Sequence, residues 1–301
     1  MNKDGKFTEV FDKNNIIKKF TLPNVKEGSI IEFKYKIKSD FIFTLRGWCF
    51  QSGVPTLWTE YNLRIPEYLT YKHNMSGYFE IQHPVHTTEN ANYVNGVNSN
   101  ASYDKYCAEN VPALKDEPFV TTMDDYRPKI EFELRASHFP NSMYEDYNGS
   151  WPKIITGLAE RDDFGGYLNK NGLAKSTLPA ILKGEKDTLA MVKLITNHLK
   201  SQIKWNNRYD IFSSENNPKS IFDKKTGNSA DINLALLAFL KEAKIKAFPV
   251  LISTRTNGQH PGYPVISAFN NVVGVTEIAG QLYFLDALDL NIYRKTKTNL
   301  F

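Results

Sequence analysis

The chain has 301 residues, a net charge of +4, and 41% hydrophobic and 23% charged residues, a composition typical of a globular protein with length for about two domains. Its basic residues are interspersed with acidic ones, so we expect neither nucleic acid nor an anionic membrane among its partners. No apolar run reaches the ~18 residues of a membrane span, and residues 1–14 lack the apolar core of an ordinary export signal.

Alternating apolar and polar residues in the first half of the chain predict antiparallel strands. In residues 31–37 every second residue is apolar and the others are charged, so one face would be buried and the other solvated. Turn-forming residues at 23–28 separate this strand from the one before it. The same alternation recurs at residues 59–65 and 130–134. This half of the chain is therefore predicted to be β-rich.

Residues 87–103 are polar and rich in asparagine, which indicates either a long loop or a poorly packed hairpin. Just before them, His83 and His86 have the spacing of two metal ligands on one helix face, but Pro84 and the surrounding strand pattern argue against a helix. We interpret both histidines as polar loop residues and predict no metal site and no cofactor.

Cys49 and Cys107 are the two cysteines of the chain, and both lie far in sequence from the stretch in which chemistry is expected. A single disulfide and a pair of buried free thiols both stay open as interpretations. Two cysteines are too few for a metal framework.

Near residue 149 the pattern changes from strands to helices, and we place a domain boundary there, between residues 1–148 and 149–301. Trp151 and Pro152 suit a helix start. The side of this helix that packs would comprise Ile154, Ile155, Leu158 and Ala159. A second, amphipathic helix is predicted from residue 188 by the spacing of Leu189, Val192, Ile195, Leu199 and Ile203. Residues 213–220 are expected to be a polar loop.

Residues 225–244 carry the strongest helix signal of the chain. After Gly227, the side chains of Asn228, Ser229 and Asp231 can cap a helix or occupy its first turn. Apolar residues then surround the middle of the helix, at positions 234–240, instead of forming one stripe. The helix is therefore predicted to be central and covered on several sides.

Antiparallel strands are predicted to follow this helix. Residues 247–254 form a strand candidate, and the Gly/Pro-rich loop at 257–264 carries His260. Strands at 271–278 and 281–285 meet at a two-residue turn and form a hairpin. A helix followed by antiparallel strands is an α+β arrangement.

The stretch from Gly227 to Asp231 resembles the Gly-x-Cys-x-Asp/Glu pattern of the bacterial transglutaminase-like superfamily, which shares a papain-like fold with cysteine proteases. In that family the cysteine is the nucleophile, a histidine opens the next strand, and an aspartate follows on its hairpin partner. The resemblance places Ser229, Asn271 and Asp286 at these three positions. Two of the three catalytic residue types are therefore substituted.

These substitutions remove the chemistry of the triad. A serine hydroxyl needs an adjacent general base before it can attack, whereas a cysteine thiol ionises near neutral pH. Asparagine accepts no proton at physiological pH and cannot be that base. We interpret the three positions as an inactive relic in which Ser229 either caps the helix or has a binding or positioning role. Trp205, Asp231 and His260 are candidate binding residues, with core packing as the alternative for Trp205.

Three phrases in the first half resemble the domain of unknown function that commonly precedes a bacterial transglutaminase-like domain. They are FTLPNVKEGSIIEFKYKIKSDF, PTLWTEYNLRIPEYLTY and the stretch at residues 109–135. The resemblance covers residues 15–135 and implies an antiparallel, β-sandwich-like domain without a known reaction. It also implies that the chain is truncated at its N-terminus and that relatives are periplasmic or exported, and it leaves open a truncation at the C-terminus.

Three functions compete on this reading. The first is a non-catalytic transglutaminase-like protein that binds a protein, peptide or glycan or has a structural role in a bacterial envelope or secreted context. The second is a serine-dependent acyl transferase or hydrolase, in which Ser229 is the nucleophile, Asp286 the orienting group and His260 the base. The third is a carbohydrate- or peptide-binding module that uses exposed aromatic residues such as Trp48 and Trp58.

Overall fold

A computed structural model describes residues 5–10, 16–39, 42–92, 98–147, 149–260, 262–288 and 292–294. The chain forms two compact units, residues 1–40 and residues 41–301. Within the described ranges, no helix has the length and apolar character needed to cross a membrane.

The first unit contains one strand pair. Strand β1 (Lys6–Val10) runs antiparallel to β2 (Ile16–Phe20), and turns follow in which Asn24 and Gly28 have positive φ angles of 62° and 84°. The predicted strand at residues 31–37 is wrong, because this segment joins no ladder and its apolar side chains are 50–62% exposed. An alternating pattern becomes a strand only where a neighbour supplies hydrogen bonds and a surface to cover.

The second unit begins with two antiparallel sheets. Their strands are β3 (Trp48–Cys49), β4 (Thr56–Pro66), β5 (Leu69–Ser76), β6 (Gln82–Asn92), β7 (Asn98–Val111), β8 (Lys129–Ser137) and β9 (Glu145–Asp146). One sheet has the order β3-β8-β5, with β9 paired to β8, and the other has the order β4-β7-β6. The strands predicted at residues 59–65 and 130–134 are confirmed as β4 and β8.

Both sheets contribute to one hydrophobic cluster. Leu63 and Tyr106 come from the second sheet and Ile130 and Phe132 from the first, and all four are buried. Residues 87–92 pair antiparallel with residues 98–103 as parts of β6 and β7, so these described residues are strands, as the hairpin interpretation predicts, and not a long loop. His83 and His86 accordingly lie in strand β6 instead of a loop.

Helices follow the strands. They are α1 (Trp151–Glu160), α2 (Gly172–Leu182), α3 (Thr188–Gln202), α4 (Pro218–Lys224) and α5 (Ser229–Glu242). The change from strands to helices falls at the predicted residue 149, although a domain boundary there stays a prediction. Helix α1 starts as predicted, with Ser150 as N-cap, but Ile155 and Ala159 on its predicted packed side are exposed.

Helix α5 is the centre of the helical part. Its residues 229–240 are all buried, as the apolar run predicts, and α2, α3 and α4 pack against it together with a sheet. That sheet has the antiparallel order β12 (Ala247–Ile252), β13 (Asn271–Ile278), β14 (Gln281–Leu285) and β15 (Ile292–Arg294). The predicted hairpin of β13 and β14 is confirmed to the residue.

Two short strands pair immediately before α5. Strand β10 (Lys204–Trp205) runs parallel to β11 (Thr226–Gly227).

The prediction of a loop at residues 213–220 is wrong at its end, because Asn217 caps α4 and Pro218 starts it. Asparagine at N-cap and proline at the first helical position favour a helix start, a signal that the polar composition of the segment hides.

Candidate functional site

The N-terminus of α5 is held by a capping box. The Asn228 side chain accepts a hydrogen bond from the Asp231 amide at 2.7 Å, and an Asp231 carboxylate oxygen accepts one from the Asn228 amide at 2.8 Å. Asn228 is therefore the N-cap and Ser229 the first helical residue, so the interpretation of Ser229 as the cap is wrong. A capping box satisfies two otherwise unpaired N–H groups reciprocally.

The Ser229 hydroxyl is paired with the backbone of one residue. It donates to the Asp210 carbonyl at 3.1 Å and accepts from the Asp210 amide at 2.9 Å. Its own amide donates to the Arg208 carbonyl at 3.0 Å, and the residue is 0% exposed. Within the described part of the chain, no hydrogen bond joins Ser229 to Asn271, Asp286 or His260. The hydroxyl is thus a structural link between α5 and the loop before it.

The Asp231 carboxylate is the most heavily bonded group at this helix end. Besides the Asn228 amide, it accepts from the Ser213 hydroxyl at 2.6 Å and from the Ser214 amide and hydroxyl at 2.8 and 2.7 Å. It is 0% exposed. Four hydrogen bonds and the positive end of the helix macrodipole together compensate for its desolvation. Gly227 lies so close that a Cβ atom there would meet the Asp231 Cβ at 2.8 Å, so a glycine is required.

Asp286 is tied to α5 through Asn233, a residue that the sequence interpretation missed. The Asn233 amide nitrogen donates to an Asp286 carboxylate oxygen at 3.0 Å and to the Val272 carbonyl at 2.8 Å. Its oxygen accepts from the Ala287 amide at 2.8 Å. Asn233 lies one helical turn beyond Ser229 and is 0% exposed. A buried asparagine inside an otherwise apolar run was the signal that could have revealed it.

Asn271 opens β13, where the resemblance places it, and is 1% exposed. Its side-chain oxygen accepts a hydrogen bond from the Val272 amide at 2.8 Å. Asn271 and Asp286 therefore each contact neighbouring backbone, and Asn233 is the residue that joins this strand pair to the helix. Ser229 lies in the first turn of α5, Asn271 at the start of β13 and Asp286 directly after the end of β14. Within the described residues, no hydrogen bond links these three side chains to one another.

Trp205 fixes the loop that holds Ser229. Its indole N–H donates to the Arg208 carbonyl at 2.9 Å, the same oxygen that the Ser229 amide contacts. The ring packs against the central core and lies 5.1 Å from the Tyr209 ring. These contacts fit the core-packing alternative for Trp205, and a ligand role for it stays a prediction.

Asp210, whose backbone holds the Ser229 hydroxyl, has a partly buried carboxyl group. Burial raises the pKa of this carboxyl, and the hydrogen bond from the Phe212 amide and the charge of Arg208 oppose that rise. Asp210 lies 19 residues before Ser229 in sequence, so no local motif indicated the contact.

His260 lies in an aromatic environment. Its ring stacks on Phe269, with 4.6 Å between centroids, and lies 5.6 Å from the Trp151 ring. Nδ1 accepts from the Gly262 amide at 3.1 Å, and Nε2 is buried without a hydrogen-bond partner in the described structure. Neither ring nitrogen is hydrogen-bonded to the Ser229 hydroxyl, whose partners are the amide and carbonyl of Asp210.

The aromatic residues proposed for ligand binding differ from each other. Trp48 packs against the cluster between the two sheets, and its N–H donates to the Thr59 hydroxyl at 2.9 Å. Trp58 is 50% exposed, and a lysine ammonium lies 5.6 Å from its ring centroid. Of these two tryptophans, Trp58 is therefore the one whose ring is accessible to a ligand.

Cys49 and Cys107 are both free thiols, so the disulfide alternative is not adopted. Cys107 is buried, as expected, whereas Cys49 is exposed. Burial raises the pKa of the Cys107 thiol.

Comparison with known proteins yields similarity at the level of fold. No family model and no curated protein matches the sequence. The structure is similar to a putative protease from Parabacteroides distasonis ATCC 8503, with a TM-score of 0.54 and 12% identity, over 80% of this chain and 42% of that one. The chain thus spans less than half of that protein. A putative cysteine protease from Cytophaga hutchinsonii aligns with a TM-score of 0.34 and 10% identity, over 82% of this chain and 78% of that one.

The first of these similarities is the one that bears on the fold. At 12% identity it shows a shared fold, and in this chain that fold combines helices with antiparallel sheets.

Proposed function

We propose that this chain is a non-catalytic protein of transglutaminase-like, papain-related fold, in which the triad-equivalent positions have a structural role and the protein acts by binding. The observation that carries the proposal is the reciprocal pairing of the Ser229 hydroxyl with the Asp210 backbone, in a position with 0% exposure. A nucleophile must reach its substrate and lie beside a base, and both conditions fail here.

The chemistry of the neighbouring residues supports the same conclusion. Asn271 stands where the resemblance expects the base, and a neutral amide takes up no proton at physiological pH. The Asp286 carboxylate accepts hydrogen bonds at Oδ1 from Asn233 and from the Leu288 amide, and no histidine of the described residues donates to it. A hydrolase that used His260 would first have to remove that ring from its contacts with Phe269 and Trp151.

Covalent labelling of the intact chain tests the proposal. A fluorescent fluorophosphonate, which modifies activated serines, is expected to leave Ser229 unmodified when tryptic peptides are analysed by mass spectrometry. Hydrolysis of casein and of a glutamine-containing peptide should be the same for the wild type and Ser229→Ala. Labelling at Ser229, or turnover that disappears in Ser229→Ala but persists in the matched Ser201→Ala variant, would show that the serine is catalytic.

Introducing the cysteine and the histidine that the resemblance expects at positions 229 and 271 tests whether these positions are triad-equivalent. In the variant Ser229→Cys/Asn271→His, an imidazole beside the new thiol should increase thiolate absorbance at 240 nm and pH 7 above that of Ser229→Cys alone. The control Ser229→Cys/Asn270→His places the imidazole one residue away, on the opposite side of the chain, and should show no increase. Equal absorbance in all three variants would mean that the positions do not face each other.

A further inference from the structure

An irregularity in the β6–β7 ladder brings two histidines to one face of the sheet. Gln82 pairs with Cys107 and Val85 with Lys105, so three steps along β6 match two steps along β7. Residues three apart in a regular strand point to opposite faces, and one extra residue reverses that relation. Pro84 lies inside this bulge. Proline has no backbone N–H, and a bulge position is one where the ladder does not need that donor. His83 and His86 therefore share a face.

A buried carboxylate on the neighbouring strand lies within hydrogen-bond distance of both imidazole rings. Asp104 Oδ1 lies 3.0 Å from His83 Nε2 and 2.6 Å from His86 Nδ1. The ligand atoms of the three residues all lie within 4.8 Å of one another. The Asp104 side chain is 10% exposed, whereas those of His83 and His86 are 36% and 68% exposed. The cluster is thus anchored in the sheet and open toward solvent.

The surroundings hold the cluster in place. The His83 ring stacks on the Tyr106 ring, with 4.3 Å between centroids and 9° between planes. Tyr106 is 3% exposed and belongs to the cluster between the two sheets. His86 is the cross-strand neighbour of Asp104 in the ladder. Two of the three residues are therefore fixed by the sheet and the third by an aromatic partner, which is the preorganisation that a ligand site needs.

We propose that His83, His86 and Asp104 bind a divalent transition metal ion, with zinc as the best match, through three protein ligands and one coordination position open to solvent. Two imidazoles and one carboxylate are a donor set that zinc accepts in tetrahedral geometry. With metal–ligand bonds of ~2.0–2.1 Å, tetrahedral ligand atoms stand about 3.3 Å apart, so small side-chain rotations convert the observed contacts into coordination. The open position would take water or an anionic oxygen ligand. This inference is independent of the Ser229 region.

Zinc titration of the intact, chelator-treated chain tests the proposal. Isothermal titration calorimetry should give one equivalent of zinc with a dissociation constant of roughly 1 µM or lower. His83→Gln, His86→Gln and Asp104→Asn should each weaken binding at least about 10-fold, because each removes one of three ligands. The matched variant His138→Ala alters an exposed histidine outside the cluster and should bind zinc as the wild type does.

Cobalt(II) supplies a readout of coordination that weak surface binding does not give. The intact chain should develop the visible absorption of a four-coordinate site, and His86→Gln should lose it. Because the His86 side chain is exposed, this variant is expected to fold and to keep the wild-type circular dichroism spectrum. Its loss of the cobalt absorption therefore tests the metal site even if Asp104→Asn misfolds. The proposal is overturned if zinc at about 100 µM does not bind, or if His83→Gln and His86→Gln bind as tightly as His138→Ala.

Discussion

Replacing Asp231 by asparagine removes a charge and two acceptor positions from the N-terminus of α5 without changing the shape of the side chain. The carboxylate accepts four hydrogen bonds, two at each oxygen. An amide keeps one acceptor oxygen and replaces the other by a donor nitrogen. In either orientation that nitrogen faces a backbone N–H, from Ser214 at one oxygen or from Asn228 at the other. A serine hydroxyl can rotate to accept, but a backbone N–H cannot.

The magnitude follows from these contacts. A hydrogen bond to a charged acceptor contributes about 1.5–3 kcal/mol, and an unsatisfied buried N–H costs about 1–3 kcal/mol. Loss of the charge at the helix N-terminus adds about 0.3–1 kcal/mol. Because the rotated serine hydroxyl recovers part of the loss, we expect Asp231→Asn to lower the free energy of unfolding by about 3–5 kcal/mol. That is a large share of the 5–15 kcal/mol that is typical of a folded domain.

The assay is urea unfolding followed by circular dichroism and tryptophan fluorescence. Asp187→Asn is the matched control, because Asp187 caps α3 at an exposed position with one hydrogen bond, to the Ala190 amide at 2.8 Å. Asparagine caps a helix as well as aspartate does, so this variant should stay within about 0.5 kcal/mol of the wild type. If the two substitutions differ by less than about 1 kcal/mol, the four-bond account of Asp231 is refuted.

Two further predictions concern buried polar groups elsewhere. Asn233→Ala removes three hydrogen bonds, which join α5 to Val272 in β13 and to Asp286 and Ala287 directly after β14. We expect it to lower the free energy of unfolding in urea by about 2–4 kcal/mol, whereas Asn197→Ala, at an exposed position, should change that free energy by less than about 0.5 kcal/mol. Burial raises the pKa of Tyr71 to about 12, so its protonated form stabilises the folded state below pH ~10 and that contribution is lost as the pH rises through 12. Tyr71→Phe should remove one late-titrating tyrosine from the absorbance at 295 nm and reduce the loss of stability above pH ~10, while Tyr78→Phe, at an 84% exposed position, should leave both unchanged.

The elements that the sequence predicts correctly are those specified by local signals. The β13–β14 hairpin has its turn at Ala279 and Gly280, whose positive φ angles of 50° and 75° suit a two-residue hairpin turn. Helix α5 is long and apolar on all sides, and no strand pattern competes with it. Residues 31–37 have an equally regular alternation, but a strand also needs a partner, and the sequence does not specify where that partner lies.

The candidate site could be predicted in part, for a related reason. The helix N-terminus and the two strand ends follow from local patterns, and they locate Ser229 at the start of α5, Asn271 at the start of β13 and Asp286 directly after β14. The contacts that give these residues their present role are remote in sequence. Asp210 precedes Ser229 by 19 residues, and Asn233 reaches Asp286 across 53. The contact with Asp210 leaves no motif, because any residue type can supply the backbone groups. The contact between Asn233 and Asp286 leaves none, because the two side chains are too far apart in sequence for a local pattern.

The hydrogen bonds at positions 229 and 271 account for the polar residues found there. Serine keeps the size and the hydrogen-bonding capacity of the position, and its hydroxyl satisfies both the amide and the carbonyl of Asp210. Asparagine at 271 likewise accepts from a backbone amide in a place with 1% exposure. An apolar residue at either position would leave a buried backbone group unpaired, at a cost of about 1–3 kcal/mol. Polar residues at these positions are therefore explained by stability alone, and a catalytic role would require a titratable side chain in contact with the Ser229 hydroxyl.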